Sequence, residues 1–329
     1  MGTNVKQRDY TWDVLKLILI ILVILGHWLQ KNYENNLVNL VVYNIRSLFT
    51  IPLFVFISGY FFRKKERKRF QEEILYLFLT YFIVQLIYVV SSYFLQHESL
   101  SWRQIYIPNA AAWFLLSLTL WRLVFQVLPE SWSESKWLFP LTIVVCLLAG
   151  FIPVEDELSL QRTLAFLPFF SCGYLLKRKI EFDKTPKWTK WLSAFVLALL
   201  FVVSFFLLNR NITFVTWCKY NYYTPPYFVI TLLALRALFL ITAFVLIFCI
   251  LAIFPKVSRQ TLLSRLGSDT MFYYVYHILV MRVGIIVIRL SLSFPFMLLY
   301  TLLSMSVLYF LGKVKFFRWI LNPIPSIRK

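Results

Sequence analysis

The segment "DVLKLILIILVILGHWLQ" (13–30) is almost entirely aliphatic, yet it contains a lysine near one end and a histidine near the other. A transmembrane helix needs about 20 apolar residues, and this run is long enough. No small-residue cleavage site follows it, so we interpret it as a retained first span rather than a signal peptide. Ionisable side chains are costly in hydrocarbon. The presence of Lys16 and His27 therefore needs an explanation.

Helix geometry places the ionisable residues of this span on one stripe. Lys16 and His27 are eleven residues apart, which puts them about 20° from the same face and roughly 16 Å apart along the axis. Asp13 lies about 40° from His27, and Asp9 precedes Lys16 by one heptad. We expect the stripe to face the bundle interior or a cavity. Alternatively, Lys16 could snorkel to the headgroups and His27 could hydrogen-bond a neighbouring helix.

The composition is that of an integral membrane protein. Of the 329 residues, 60% are hydrophobic and only 15% are charged, against about 25% charged in soluble domains. We predict an all-α fold with about ten transmembrane helices in a single domain over 1–329. The candidate spans are 12–30, 39–62, 73–95, 110–128, 137–152, 162–177, 189–208, 227–254, 268–290 and 294–312. The eighth is long enough to be tilted or broken.

The distribution of basic residues predicts the topology. If the N-terminus is inside, 23 of the 34 lysines and arginines fall in inside segments and six fall outside. This positive-inside bias places both termini in the cytoplasm. The net charge of +19 then indicates contact with anionic membrane lipids rather than with nucleic acid. The four cysteines lack metal-ligand spacing, and neither a disulfide framework nor a metal site is expected.

Five segments together resemble the acyltransferase 3 family, membrane-integral O-acyltransferases with about ten spans. The first is the pattern in the first span of a basic residue, Lys16, followed after ten residues by a histidine, His27. The others are "FTIPLFVFISGYFFRKK" (49–65), "AAWFLLSLTLWRL" (111–123), "FLPFFSCGYLLKRK" (166–179) and "MFYYVYHILV" (271–280). The similarity is greatest to the stand-alone sugar O-acetylase branch. One departure is Thr50, where that branch often has histidine.

The resemblance implies an acyltransferase that moves an acyl group, acetyl in the first instance, from cytoplasmic acyl-CoA to a sugar hydroxyl of a cell-surface glycan or glycolipid. It implies that His27 is the base that takes the hydroxyl proton, or a transient acyl carrier. Lys16 and Asp13 would tune or position it. His277, in the Tyr-x-x-His segment, is a further catalytic candidate, although a structural hydrogen bond would also explain it.

The basic segment "FFRKKERKRF" is the candidate donor site. It follows Ser58-Gly59-Tyr60 on the predicted cytoplasmic side, where coenzyme A would be found. Arginine and lysine pair well with phosphates, and the candidates here are Arg63, Lys64, Arg67 and Arg69. A plain positive-inside anchor would also account for much of this charge.

Cations inside the spans indicate further contacts. Arg122 lies nearer the inside and is a second candidate for the donor. Arg46 lies nearer the outer face, as His27 does, and is a candidate for the acceptor. Ser58 and Tyr60, in the family-like Ser-Gly-Tyr, are candidates for substrate contact.

Two other functions fit the sequence less well. The first is an exporter or flippase of a polysaccharide or lipid-linked sugar, in which intramembrane cations would bind a phosphorylated carrier. The second is a structural partner in a polysaccharide synthase assembly. In every case we expect a multi-pass protein of a bacterial plasma membrane, and a homodimer is compatible with the sequence.

Overall fold

The computed structural model is helical through most of its length, and it has no β-strand among the residues it describes. These are residues 9–31, 33, 36–154, 157–177, 179–207, 212–219, 221–223, 225, 227–287 and 293–322. The α-helices are α1 (Thr11–Leu29), α2 (Leu37–Ser47), α3 (Thr50–Phe61), α4 (Arg67–Gln96), α5 (Arg103–Tyr106), α6 (Ala112–Val127), α7 (Glu130–Ser133), α8 (Leu138–Ala149), α9 (Leu160–Leu175), α10 (Lys187–Leu207), α11 (Thr213–Trp217), α12 (Val229–Ile253), α13 (Leu262–Ser268), α14 (Thr270–Val287), α15 (Phe294–Leu311) and α16 (Lys315–Ile320). The predicted all-α class is confirmed.

Seven helical segments of the described chain are long and apolar enough to cross a membrane. They are α1, the pair α2–α3, α4, α10, α12, α14 and α15. Two shorter helices, α6 and α8, are also apolar. Each of the ten predicted spans coincides with a helix or helix pair, but ten crossings and cytoplasmic termini stay predictions. Residues 1–8 and 323–329 lie outside the described ones.

Helix α1 lies at the centre of the bundle. Of its most apolar 18-residue window, 72% is buried by protein, against 11% for α10. It packs against α2, α3, α13, α14 and α15. Its first turn is held by the Asp9 carboxylate, which accepts a hydrogen bond from the Thr11 amide at 3.0 Å. The helix that contains Lys16 and His27 therefore meets protein, rather than lipid, on most of its surface.

The second predicted span is interrupted, whereas the eighth is not. Helix α2 ends at Ser47 and α3 begins at Thr50. Pro52 explains the break, because proline has no amide hydrogen and its ring collides with the carbonyl four residues earlier, that of Leu48. The long eighth span is one continuous helix, α12. The interruption turns the chain close to His27, with consequences for Arg46 described below.

The basic loop after α3 is shorter than predicted. Helix α4 begins at Arg67, six residues before the predicted start of the third span. Residues 62–66 alone connect α3 to α4. Arg67 and Arg69 therefore lie in the first turn of a helix, and both are exposed.

Helices α3 and α9 cross with their backbones in contact. A Cβ atom added at Gly59 would lie 2.0 Å from the carbonyl oxygen of Phe170. Reciprocally, a Cβ atom at Gly173 would lie 2.0 Å from the carbonyl oxygen of Phe56. Small residues at helix crossings allow such close approach in membrane proteins. The two family-like segments, which contain Gly59-Tyr60 and Gly173-Tyr174, therefore contact each other at their glycines.

This crossing generates a prediction about stability. Replacing Gly173 by alanine should destabilise the protein by about 1–3 kcal/mol, the usual cost of overpacking, because the obstructing atom is backbone and cannot rotate away. The measurement is thermal unfolding of the protein in detergent. Gly312→Ala is the control, since its nearest neighbours would lie 3.3 Å from the new Cβ. Equal unfolding temperatures for the two variants would contradict the crossing.

Candidate active site

A cavity of about 360 Å³ surrounds the imidazole of His27 at one end of α1. Its wall comes from α1, α2, α3, α4, α6, α9, α11, α14, the 108–111 segment and Lys219. The basic side chains that line it are Arg46, Arg162, Lys219 and Arg282. No aspartate or glutamate among the described residues lines it. The predicted stripe on α1 therefore reaches a cavity at His27, as expected.

His277 lies behind His27, buried and not itself part of the cavity wall. Their ring centroids are 5.0 Å apart, and Gln30 hydrogen-bonds to His27 from one turn further along α1. The Nδ1 atom of buried His277 lies 2.5 Å from the carbonyl oxygen of Tyr274. A carbonyl oxygen can only accept, so we assign the proton of the neutral ring to Nδ1, which leaves Nε2 as an acceptor. That Nε2 has no hydrogen-bond partner among the described residues.

Arg46 is brought beside His27 by the break between α2 and α3. Its guanidinium lies against Gly26, where an added Cβ would come within 1.9 Å of Cζ. It also lies over the ring of Tyr43, with Cζ 4.3 Å from the centroid. Its buried Nε has no hydrogen-bond partner in the described part of the chain. Only glycine at position 26 leaves room for this cation next to the histidine.

Thr50 supports that break instead of lining the cavity. It is fully buried, and its hydroxyl donates to the carbonyl oxygen of Arg46 at 2.6 Å. Its neighbours Ser47 and Ile51 line the cavity. Thr50, which stands where the resembling branch often has histidine, therefore stabilises the backbone at the break and does not line the cavity.

Arg282 and Arg162 enter the cavity from two further helices. Arg282 donates to the carbonyl oxygen of Tyr88 at 2.6 Å, to the Ser91 hydroxyl and, at 3.1 Å, to Oδ1 of Asn109. The Arg162 guanidinium lies 4.6 Å from the centroid of the Trp113 ring. Both arginines are buried. Hydrogen bonds and an aromatic face thus fix two cations at defined positions in the wall.

A second, larger cavity of about 1180 Å³ lies at the other end of α1. Its wall includes the aromatic side chains of Trp12, Tyr60, Phe61 and Phe182. Its charged residues are Asp9, Asp13, Lys16, Arg63, Glu181, Asp183, Lys184 and Lys256. We call this the Lys16 cavity and the first one the His27 cavity. The two share no lining residue.

Lys16 and Asp13 pair with each other and not with His27. Their Nζ and Oδ1 atoms are 2.8 Å apart, and both line the Lys16 cavity. Eleven residues of helix, roughly 16 Å, separate Lys16 from His27. Their predicted influence on His27 would have to act over that distance.

Tyr60 and Arg63 are the predicted contacts that line the Lys16 cavity. Arg63 donates to the carbonyl oxygens of Tyr60 and Phe62 at 2.8 and 2.6 Å, which holds its guanidinium at the end of α3. Four other predicted contacts line neither of the two cavities: Ser58, Lys64, Arg67 and Arg69. Ser58 donates to the carbonyl oxygen of Phe54 at 2.9 Å, and Lys64 donates to that of Leu128.

Arg122 forms an ion pair that the sequence did not indicate. Its guanidinium bonds to the carboxylate of Glu73 in α4, and Lys65 is 3.2 Å from the other oxygen of that carboxylate. Arg122 lines neither the His27 cavity nor the Lys16 cavity. Glu73 reaches this cation from a neighbouring helix.

The acyltransferase 3 family model, described as an acyltransferase domain, matches residues 9–313, a range that contains both cavities. The chain belongs to the acyltransferase 3 family. The family resemblance read from the five segments is confirmed, and the protein is a multi-pass membrane acyltransferase. No curated protein and no solved structure matches it.

Sequence reasoning missed two residues that line the His27 cavity of this acyltransferase, Arg162 and Lys219. Both are among the six basic residues counted outside, and Arg162 stands at the outer end of the short predicted span 162–177. Arg162 in fact lies inside α9. A signal was available: Arg162, Phe166, Phe169 and Gly173 recur at helical spacing, so the arginine lies on the face that packs inward.

The pairing of Arg122 yields a second stability prediction. Glu73→Gln should destabilise the acyltransferase by about 1–3 kcal/mol, because a mostly buried guanidinium loses its charged partner. The control is Glu134→Gln, which removes the exposed 2.8 Å pair with Lys177 and should change stability much less, because exposed ion pairs contribute little. Thermal unfolding in detergent measures both. A Glu73→Gln protein as stable as wild type would argue that Arg122 is held by something other than this carboxylate.

Proposed function

We propose that this acyltransferase moves an acyl group, acetyl in the first instance, from cytoplasmic acyl-CoA to a sugar hydroxyl of a cell-surface glycan or glycolipid. We place it in a bacterial plasma membrane. The observation that carries the proposal is the His27 cavity, in which His27 lies beside the buried Arg46 and is backed by the ring of His277. The family supplies the reaction class, and the cavity supplies a proton acceptor and a cation for it.

In the proposed reaction, His27 takes the proton of the acceptor hydroxyl as its oxygen attacks the thioester carbonyl. The carbonyl oxygen becomes an oxyanion, and Arg46 lies next to His27 where it can stabilise that charge. The carbon–sulfur bond then breaks, and the thiolate of coenzyme A receives the proton from His27. The products are the sugar ester and free coenzyme A. A path through an acyl group held transiently on His27 gives the same products and stays open.

The Lys16 cavity is our candidate for the nucleotide end of the donor. It lies at the predicted cytoplasmic end of α1 and is large enough for a nucleotide. The rings of Trp12 and Tyr60 in its wall have centroids 4.4 Å apart and are tilted by 33°, and such aromatic faces suit an adenine ring. Lys16 and Arg63 line this cavity and are our candidates to bind its phosphates. Lys64, Arg67, Arg69 and Arg122, outside the cavity, are weaker candidates for the donor site.

The thioester must then reach His27 along α1. Ile20 and Ile24, which lie between Lys16 and His27 on this helix, are buried. Because the two cavities share no lining residue, the pantetheine arm has to displace packed apolar side chains between them. We therefore propose that the passage opens on binding of the donor.

Substitution of His27 tests the catalytic assignment. His27→Asn should lower acetyl-CoA turnover by a factor of about 10²–10⁴, the usual contribution of a general base. Release of free coenzyme A by protein in nanodiscs is the measurement, and unfolding temperature checks the fold. His97→Asn is the control, since His97 is exposed. Turnover of His27→Asn at the wild-type rate would remove His27 from the mechanism.

The donor site is tested through the Michaelis constant. Arg63→Gln should raise the KM for acetyl-CoA about tenfold, because a hydrogen bond between charged groups is lost. Arg265→Gln is the control, since Arg265 is exposed and lies outside the Lys16 cavity. Arg69→Gln tests the exposed part of the basic segment. A larger KM effect from Arg69→Gln than from Arg63→Gln would move the donor site out of the cavity.

A further inference from the structure

The His27 cavity has fixed positive charge that no described carboxylate in its wall balances. Arg46 interacts with the ring of Tyr43, and the hydrogen bonds of Arg282 go to a carbonyl, a hydroxyl and an amide oxygen. These partners are neutral. Arg282 also interacts electrostatically with the carboxylate of Glu98, which does not line the cavity, whereas no described carboxylate acts on Arg46.

Buried cations favour an anionic ligand. The attraction between unit charges is several-fold stronger near or inside a protein than in bulk water, and an arginine at membrane depth is costly without an anion, carbonyl groups or water. The oxyanion of acyl transfer is a single charge that exists only transiently. Before it forms, Glu98 acts on Arg282 but no described carboxylate acts on Arg46, whose buried Nε has no hydrogen-bond partner among the described residues. Arg46 at least is therefore left to interact with another negative group.

The Lys16 cavity shows the contrast. There Lys16 is 2.8 Å from Asp13, Lys256 is 2.6 Å from Asp183 and Lys184 is 2.6 Å from Glu181. Three of its four basic residues therefore have acidic partners from this chain, the fourth being Arg63. No described carboxylate lines the His27 cavity, which lies at the end of α1 where the acceptor is expected.

The volume and the other walls of the His27 cavity suit a single sugar unit. Ligand cavities usually measure about 300–1,000 Å³, and this one, at about 360 Å³, is at the small end. Trp113, Trp217 and Tyr43 contribute aromatic side chains, which pack well against the apolar faces of a sugar ring. The ligand is therefore small, in part apolar-faced, and anionic.

We infer that the acceptor is an acidic sugar, with a carboxylate or a phosphate on or next to the ring that bears the reacting hydroxyl. Arg46 and Arg282 bind that anionic group and so orient the hydroxyl towards His27. This inference rests on the proposed function, since it names the substrate class of the same site. Arg282, which acts on the acceptor and not on the breaking bond, is a specificity-determining residue.

The experiment compares matched acceptors with wild-type protein in nanodiscs and acetyl-CoA as donor. Methyl glucuronoside and glucose 1-phosphate are the charged acceptors, and methyl glucoside is the neutral one. Ester formation is followed by mass spectrometry, and binding of each sugar by the shift in unfolding temperature. A charged acceptor should have a kcat/KM at least about tenfold above that of the neutral one. Preference for the glucuronoside identifies a carboxylate, and preference for the sugar phosphate identifies a phosphate.

Variants of Arg46 and Arg282 test whether the preference for a charged acceptor arises in the His27 cavity. Arg282→Gln and Arg46→Gln should bring the ratio of charged to neutral acceptors close to one, whereas Arg46→Lys, which keeps the charge, should retain part of it. Arg236→Gln is the matched control: Arg236 is also a buried intramembrane arginine, but it lies against Tyr222 and outside the His27 cavity. It should keep the full ratio.

Several results would overturn the inference. They are an equal preference for neutral and charged acceptors, a preference that survives both glutamine variants, and the absence of binding by every charged sugar. Failure of the proposed function looks different: the wild-type protein would release no coenzyme A from acetyl-CoA, with or without an acceptor. Anion-dependent stabilisation that is lost in Arg282→Gln would then still support the anionic site.

Discussion

A histidine can do chemistry inside a membrane only if the helix that contains it is shielded from lipid. In this acyltransferase the shielding comes from five helices that pack around α1. Because α1 is enclosed, its polar residues at either end open into cavities of the protein rather than into the bilayer. Both cavities, and the separation between them, follow from this one arrangement.

The crossing of α3 and α9 fixes the walls of the two cavities relative to each other. Tyr60 and Arg63, at the end of α3, line the Lys16 cavity, and Arg162 and Phe166 of α9 line the His27 cavity. The helices meet at Gly59 and Gly173 with no side chain between the backbones. A rigid contact of this kind transmits small displacements instead of absorbing them. A shift of α9 at the His27 cavity would thus be felt by α3 at the Lys16 cavity.

Hydropathy and helical spacing predicted much of the fold, because a bilayer allows few solutions for an apolar chain. Each of the ten apolar segments contains a helix, and His27 lines a cavity as we expected for the stripe on α1. Pairings between helices could not be predicted in the same way. The bond between Arg122 and Glu73 joins residues 49 positions apart, and nothing in either segment indicates it. Arg162 was missed because loop counting treats a cation at a helix end as exposed. The approach of His277 to His27 depends on how α14 packs, which only the folded chain reveals.

The packed side chains between the two cavities have a consequence for the cell as well as for the reaction. In the proposed reaction a cytoplasmic donor has to meet an acceptor beyond the outer face. A continuous aqueous pore between them would let protons and ions flow down their gradients. Ile20 and Ile24 are buried at this level of the bundle, and hydrophobic constrictions of this kind exclude water and ions. We therefore expect the acyltransferase at rest to be impermeable to ions. If the pantetheine arm passes through the constriction, the arm itself occupies the space of the side chains that it displaces, so the membrane potential can be preserved during turnover.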